Sequence, residues 1–244
     1  MDFHHSVITL TFGDAAENHV GMEMIGTRGK AGSGFTVEEL RTIGSTFDGA
    51  ELYMLNSEKE HEDAAVLVLR NFLNPELHAA MFAEQAALEH DKKALMYGRV
   101  VNKKARWNLC FDEVGHAPDY VLGKGRVVAL KGVPLTQNFV SALPSRFGAK
   151  AMDLKGEGNY YYNLKVCGIG WHGDTERRKV IALRLGASMP ICYQWYFRGT
   201  PCGDKITIPI HGGDVYIMSE KAVGSDWKHS SKWTLRHAAG AHAT

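Results

Sequence analysis

The feature that most constrains this chain is a run of short β-branched and aromatic segments, cut by turn residues, over its second half. Residues 127–130, 160–166, 180–185, 192–198, 205–210 and 215–218 each read as a strand. Gly168, Gly170, Gly186, Pro190, Gly199, Pro201, Gly212 and Gly213 punctuate them. Short strands with turn signals at this frequency predict a β-sandwich or jelly roll.

The first half mixes element types. Residues 6–12 partly alternate and read as a strand. Residues 28–34 are rich in Gly and read as a loop. Thr36 with Glu39 forms a capping box, which predicts a helix through Leu40 to about Ile43. A strand at 50–55 and a charged linker at 57–63 follow. This delimits a small N-terminal module at 1–60, in which Glu17, Asn18 and His19 read as a loop or cap, and a second domain at 61–244. That domain opens with a strand at 65–69. Asn74 as N-cap and Pro75 at the first helical position then predict a helix ending near His90-Asp91, with Glu84 interrupting its apolar stripe.

With 244 residues, 45% of them hydrophobic and 23% charged, the composition is that of an ordered globular chain. A net charge of +1 excludes a strong global field toward nucleic acid or anionic membrane. Local basic patches remain at Lys103, Lys104 and Arg106, and at Arg177, Arg178 and Lys179. The spacing of Cys110, Cys167, Cys192 and Cys202 matches no zinc pattern, so reduced thiols are expected. No signal peptide or membrane span is read, and the expectation is an intracellular protein, cytoplasmic or nuclear.

His172-Gly173-Asp174 follows an extended segment, where residues two apart point to the same side. With a distant second His they make a 2-His-1-carboxylate set, which leaves open positions on one face of an iron ion. His211, His229 and His237 are the candidates. His229 is favoured, because a rolled sheet can return it to His172 after four strands.

Several motifs, in order, resemble the AlkB-like 2-oxoglutarate- and Fe(II)-dependent dioxygenases between Ala65 and Gly240. They are residues 71–77, Tyr97-Gly98-Arg99, Asn159-Tyr160-Tyr161, 168–174, 183–186 and 211–215. The resemblance implies a mainly β α+β fold, a double-stranded β-helix (jelly roll) flanked by helices. It implies iron held by His172, Asp174 and His229. It implies 2-oxoglutarate bound by Asn159, Tyr161 and Arg236, with O2 as second co-substrate. The pattern's second Arg, six residues beyond Arg236, is His242 in this chain. Glu176 would contact the exocyclic amine of a nucleobase, Trp107 and Phe111 would stack on it, and Arg106 would belong to the same substrate-binding set. The implied reaction couples decarboxylation of 2-oxoglutarate to succinate with hydroxylation of an N-methyl group, which then leaves as formaldehyde. The substrate implied is a methylated base in DNA or RNA. The alternative is a hydroxylase of the same fold acting on protein side chains or small molecules.

Overall fold

Ile8, Leu10 and Phe12 alternate with Thr9 and Thr11. An extended chain sends two such sets to opposite faces, so this segment suits a sheet with an apolar layer on one side and a polar cavity on the other. The computed structural model describes residues 3–56 and 62–243, and this segment lies at the middle of its largest sheet.

The described residues form β1 (Val7–Gly13), β2 (Ala15–Glu17), β3 (Met24–Gly26), α1 (Val37–Gly44), β4 (Ala50–Met54) and β5 (Ala65–Leu69). Next come α2 (Pro75–Ala86), β6 (Lys93–Met96), β7 (Arg99–Asn102), β8 (Trp107–Asp112), β9 (Val127–Ala129) and α3 (Pro134–Phe147). The rest is β10 (Lys155–Tyr161), β11 (Gly168–His172), β12 (Val180–Gly186), β13 (Ile191–Phe197), β14 (Thr200–Ile208), β15 (Val215–Met218), α4 (Glu220–Val223) and β16 (Thr234–Gly240). The fold is mainly β, with few helices.

Eight strands form one sheet in the order β4-β5-β15-β12-β1-β10-β8-β9, and four form a second in the order β11-β16-β13-β14. β1 is antiparallel to both β10 and β12, with Thr9 opposite Asn159 on one side and Arg184 on the other. The domain boundary expected near residue 60 is therefore crossed by the sheet: β1 and β4 belong to it as much as β12 does. A strand with two hydrogen-bonded neighbours is not an appendage. The linker expected at 57–63 lies mostly outside the described residues.

The large sheet is covered on both faces. Ile8, Leu10, Phe12, Ile181, Leu183 and Leu185 meet Met81 and Phe82 of α2 and Phe139 and Leu143 of α3 in one core. Val180, Ala182, Tyr216 and Met218, from the other face, meet Tyr193, Trp195 and Leu235 of the small sheet in a second core. Burying side chains of this size on both faces supplies the main drive to fold.

The helix starts follow their capping chemistry. Thr36 and Glu39 make the expected reciprocal capping box, and Asn74 accepts from Leu77 N with Pro75 at the first turn. α2 ends at Ala86, earlier than the expected His90-Asp91. α3 is not anticipated by the sequence, and it has no side-chain cap of its own. Instead Glu84 of α2 accepts from Leu135 N and Thr136 N at 2.8 and 2.9 Å. The residue that interrupts the stripe of α2 thus caps α3. The strand expected at 160–166 is displaced to β10, and residues 162–166 form a turn region. Among the described residues no helix is long and apolar enough to cross a membrane, and all four cysteines are free.

Because β1 is internal, a chain beginning at residue 15 is expected to lose its cooperative unfolding transition in a denaturant titration. Leu10→Ala, at a fully buried position, is expected to cost about 2–5 kcal/mol. A cooperative transition in the truncated chain would contradict the central placement of β1.

Candidate metal centre and its two cavities

β11 ends on His172, and its antiparallel partner β16 places His237 directly opposite, after a bulge between Ile169 and His172. Asp174 follows in a loop anchored by its own N–H to the Val223 carbonyl at 3.0 Å. Gly173 is needed between the two ligand positions, because a Cβ there would run into the Gly224 carbonyl. His172, Asp174 and His237 each offer one ligand atom, all within 4.8 Å of one another.

The donor set suits a cation. His172 Nδ1 lies 2.8 Å from the Gly170 carbonyl and 3.1 Å from the His237 carbonyl. Carbonyls only accept, so Nδ1 carries the proton and Nε2 presents its lone pair. That Nε2 and His237 Nε2 both face Asp174 Oδ1, at 3.5 Å each. Burial first, and the His237 ring second, push the His172 pKa down to about 3, so the ring is neutral near pH 7. A lone pair aimed at a carboxylate oxygen is repulsive unless a positive ion lies between them. Two imidazoles, here one of them fixed by carbonyls, with one carboxylate are a common divalent-metal set.

Arg177 organises the charges behind the triad. It is almost fully buried, and its Nη2 donates to Glu157. Its Nε lies 3.1 Å from Glu176 and 3.7 Å from Asp174. Burial opposes the charge of Asp174. The Arg177 guanidinium, helped by His237 and His172, overcomes this and holds the carboxyl well below the usual range. Burial, with Asp174 and Glu157 nearby, instead raises Glu176 to about 7 against the pull of Arg177.

An inner cavity of about 70 Å³ lies between the sheets, with the triad on one side. Alternation on three neighbouring strands turns Thr9 of β1, Asn159 and Tyr161 of β10, and Arg184 of β12 into it. Asn159 Oδ1 accepts from Arg106 Nε at 2.7 Å and from Asn108 Nδ2 at 2.6 Å, and its Nδ2 donates to Glu157 at 2.9 Å. Arg184 differs. It is 1% exposed, yet its Nε and Nη1 have no hydrogen-bond partner among the described residues. Thr9 Oγ1, on the residue paired with it, has none either.

An outer cavity of about 490 Å³ shares His172, Asp174, Ile169 and Glu157 with the inner one. Its walls carry Arg106, Glu176, Trp171, Trp227 and Lys228. Glu17, Asn18 and His19, read in the sequence as a plain loop or cap, line it as well.

The chain is 44% identical to an uncharacterized protein of Acanthamoeba polyphaga mimivirus, over 244 aligned residues that cover 96% of this chain and 95% of the relative. This chain belongs to the family of that mimiviral protein. No protein-family model matches it.

The structure brings together His172, Asp174, Asn159, Tyr161, Arg106 and Glu176 as the sequence suggests. It corrects four other expectations. His229 is not beside His172: it is exposed in the connection between α4 and β16, and it lines a separate cavity with Arg28 and Lys232. The second histidine of the cluster is His237, on the returning strand itself. Arg236 precedes His237 on β16, so its side chain faces the other way and lies over Tyr196 and Trp227, 3.8 and 5.1 Å from the ring centroids. Phe111 is core: it is 1% exposed and packs against Gly156 and Gly158, whose missing side chains make room for its ring. Trp107 shares that face of β8 and stacks on Tyr162 with centroids 4.2 Å apart, away from both cavities. The sequence reading also passed over Glu157, Arg184 and Thr9 as site residues, and it placed Arg177 in a basic patch, whereas the structure buries that residue among Glu157, Asp174 and Glu176. Arg184 carries a signal that could have found it, as the one charged residue in an apolar run, 180–185.

His237→Ala is expected to weaken Mn(II) or Co(II) binding by more than the ~10–100-fold that loss of an outer partner costs. His229→Ala is expected to leave it unchanged. Titration of both variants by calorimetry decides the matter, and the reverse pattern would restore His229 as the ligand.

Proposed function

We propose that this protein is a non-haem Fe(II) dioxygenase dependent on 2-oxoglutarate. The observation that carries the reading is the convergence of His172, Asp174 and His237 beside a cavity holding an unpaired buried arginine. Three protein ligands on one side of a metal leave positions for a co-substrate and O2. Iron with 2-oxoglutarate would supply the oxidant for C–H hydroxylation; the protein's part is to bind, orient and keep water out.

The strand order supports a double-stranded β-helix. From β10 onward the chain alternates between sheets except at the β13–β14 hairpin: β10, β12 and β15 lie in the large one, and β11, β13, β14 and β16 in the small one. β1 takes the place between β10 and β12 that closes this arrangement. In this reading His172 and His237 hold the metal from facing strands of the small sheet. Arg177 keeps Asp174 ionised, and Asn159 and Tyr161 line the co-substrate cavity.

For the substrate we favour an AlkB-like oxidative demethylation of methylated nucleobases. The outer cavity supports it with two indoles, Trp171 and Trp227, with Glu176 to accept from an exocyclic amine, and with Arg106 and Lys228 toward a phosphate backbone. The second reading is a hydroxylase of protein side chains or small molecules. It is favoured by the burial of Phe111 and the inward stacking of Trp107, which remove the two rings expected to grip a base.

The test is incubation with Fe(II), 2-oxoglutarate and a panel of methylated oligonucleotides, with succinate and nucleosides followed by mass spectrometry and His237→Ala as control. Succinate together with loss of a methyl group, absent from the control, is the expected result. Succinate without base oxidation would move the assignment to the second reading. No succinate from metal-loaded protein with any substrate class would remove the dioxygenase assignment.

A further inference from the structure

Arg184 has no counter-charge of its own. The nearby acidic groups are already engaged. Asp214 accepts from Arg70, from Asn71 N and from His211 N. Glu157, Asp174 and Glu176 surround Arg177. Burial pushes the Arg184 pKa down, but a guanidinium does not lose its proton in a protein. A charge in this position is retained only if something else satisfies it. Its free N–H groups line the inner cavity, and the unpartnered Thr9 hydroxyl sits opposite in the β1–β12 register. The volume of about 70 Å³ has room for roughly five waters. That is the scale of a small organic acid and not of a nucleotide.

We propose that Arg184, assisted by Thr9, is the carboxylate anchor of the inner cavity, binding the end of a short dicarboxylate that points away from His172, Asp174 and His237. The guanidinium offers parallel N–H donors to the two carboxylate oxygens, and Thr9 adds a third donor. The anchor thus comes from β12, the strand next to β1, and not from Arg236 on β16, which lies against Tyr196. The proposal rests on the dioxygenase reading for the identity of the acid, 2-oxoglutarate, but the anion site itself is a property of Arg184.

The experiment uses the full chain, first stripped of metal and then loaded with Mn(II). 2-Oxoglutarate and succinate are titrated by calorimetry, and melting is followed with and without each acid. Wild-type protein is expected to bind both acids and melt higher in their presence, even without metal. Arg184→Met is expected to lose about 100-fold in affinity for each acid. Without ligand it should melt no lower than wild type, because it removes an unpaired buried charge. A purely structural arginine would show the opposite, a large fall in melting temperature. Should Arg184→Met fail to fold, Arg184→Lys carries the same test, keeping the charge but not the paired donors. Arg236→Ala is expected to bind as wild type. Unchanged binding in the Arg184 variants, loss of binding in Arg236→Ala, or no binding of either acid by wild type under both metal conditions would each overturn the anchor. Mn(II) affinity is read separately: its absence from wild type would remove the metal reading, while the metal-free titration still decides Arg184.

Discussion

The site depends on β1 lying between β10 and β12. Those two strands each turn alternate side chains toward the small sheet, and only a shared neighbour holds them in one register. β1 aligns Thr9 with Asn159 on one side and with Arg184 on the other, so three polar positions from distant parts of the chain form one wall. The same alternation sends Ile8, Leu10 and Phe12 into the helix-covered core. A slip of one residue in β1 would put the apolar set into the cavity and the threonines against α2 and α3. Core packing therefore fixes the geometry of the cavity, although the two lie on opposite faces of the sheet.

The two buried arginines of the cavity have opposite environments. Arg177 is surrounded by Glu157, Asp174 and Glu176, and the carboxylates hold its charge more firmly than in water, against the opposing effect of burial. Arg184 has no carboxylate of its own, and burial weakens its charge. One arginine is a structural counter-ion that keeps Asp174 ionised, as a metal ligand under the proposed function has to be. The other is an unmet charge, which a folded protein retains where a ligand completes it. A list of charged residues does not separate these roles; they follow from the neighbours.

Much of the architecture was legible because its signals are local. The capping box at Thr36 and Glu39 and the Asn74-Pro75 start depend on residues within one turn, and both helices begin where expected. The strands at 65–69 and 215–218 were read to the residue because they are short apolar runs carrying Val or Ile at alternate positions. α3 was missed because its cap, Glu84, lies about fifty residues upstream, and because Pro144 inside it reads as a breaker. The place of β1 was missed because alternation predicts a strand but not its neighbours. The His172, Asp174 and His237 cluster was half legible. His172-Gly173-Asp174 is a local pattern, whereas the second histidine is set by β11–β16 register. His229 stands in the polar run Lys228-His229-Ser230-Ser231-Lys232, which belongs to a connection. His237 shares one face of β16 with the buried Leu235 and Ala239, and that context points inward.

The two cavities divide the chemistry between different kinds of backbone. Thr9, Asn159, Tyr161 and Arg184 project from paired strands of the large sheet, whose register leaves them little freedom. Glu17, His19, Thr175, Glu176, Trp227 and Lys228 come from strand ends and connections around the rim. Under the proposed function, residues on rigid strands suit the co-substrate that every turnover shares. Residues on connections suit a substrate that differs between relatives, because loops accept substitution without disturbing the core. The rim mixes Glu17 and Glu176 with Arg106 and Lys228, so it presents no single sign of charge to a polyanion. Recognition of a nucleic acid by such a rim has to come from the indoles and from hydrogen bonds to one inserted base, with few phosphate contacts. Binding of that kind falls gently with salt, since the slope follows the number of phosphates neutralised.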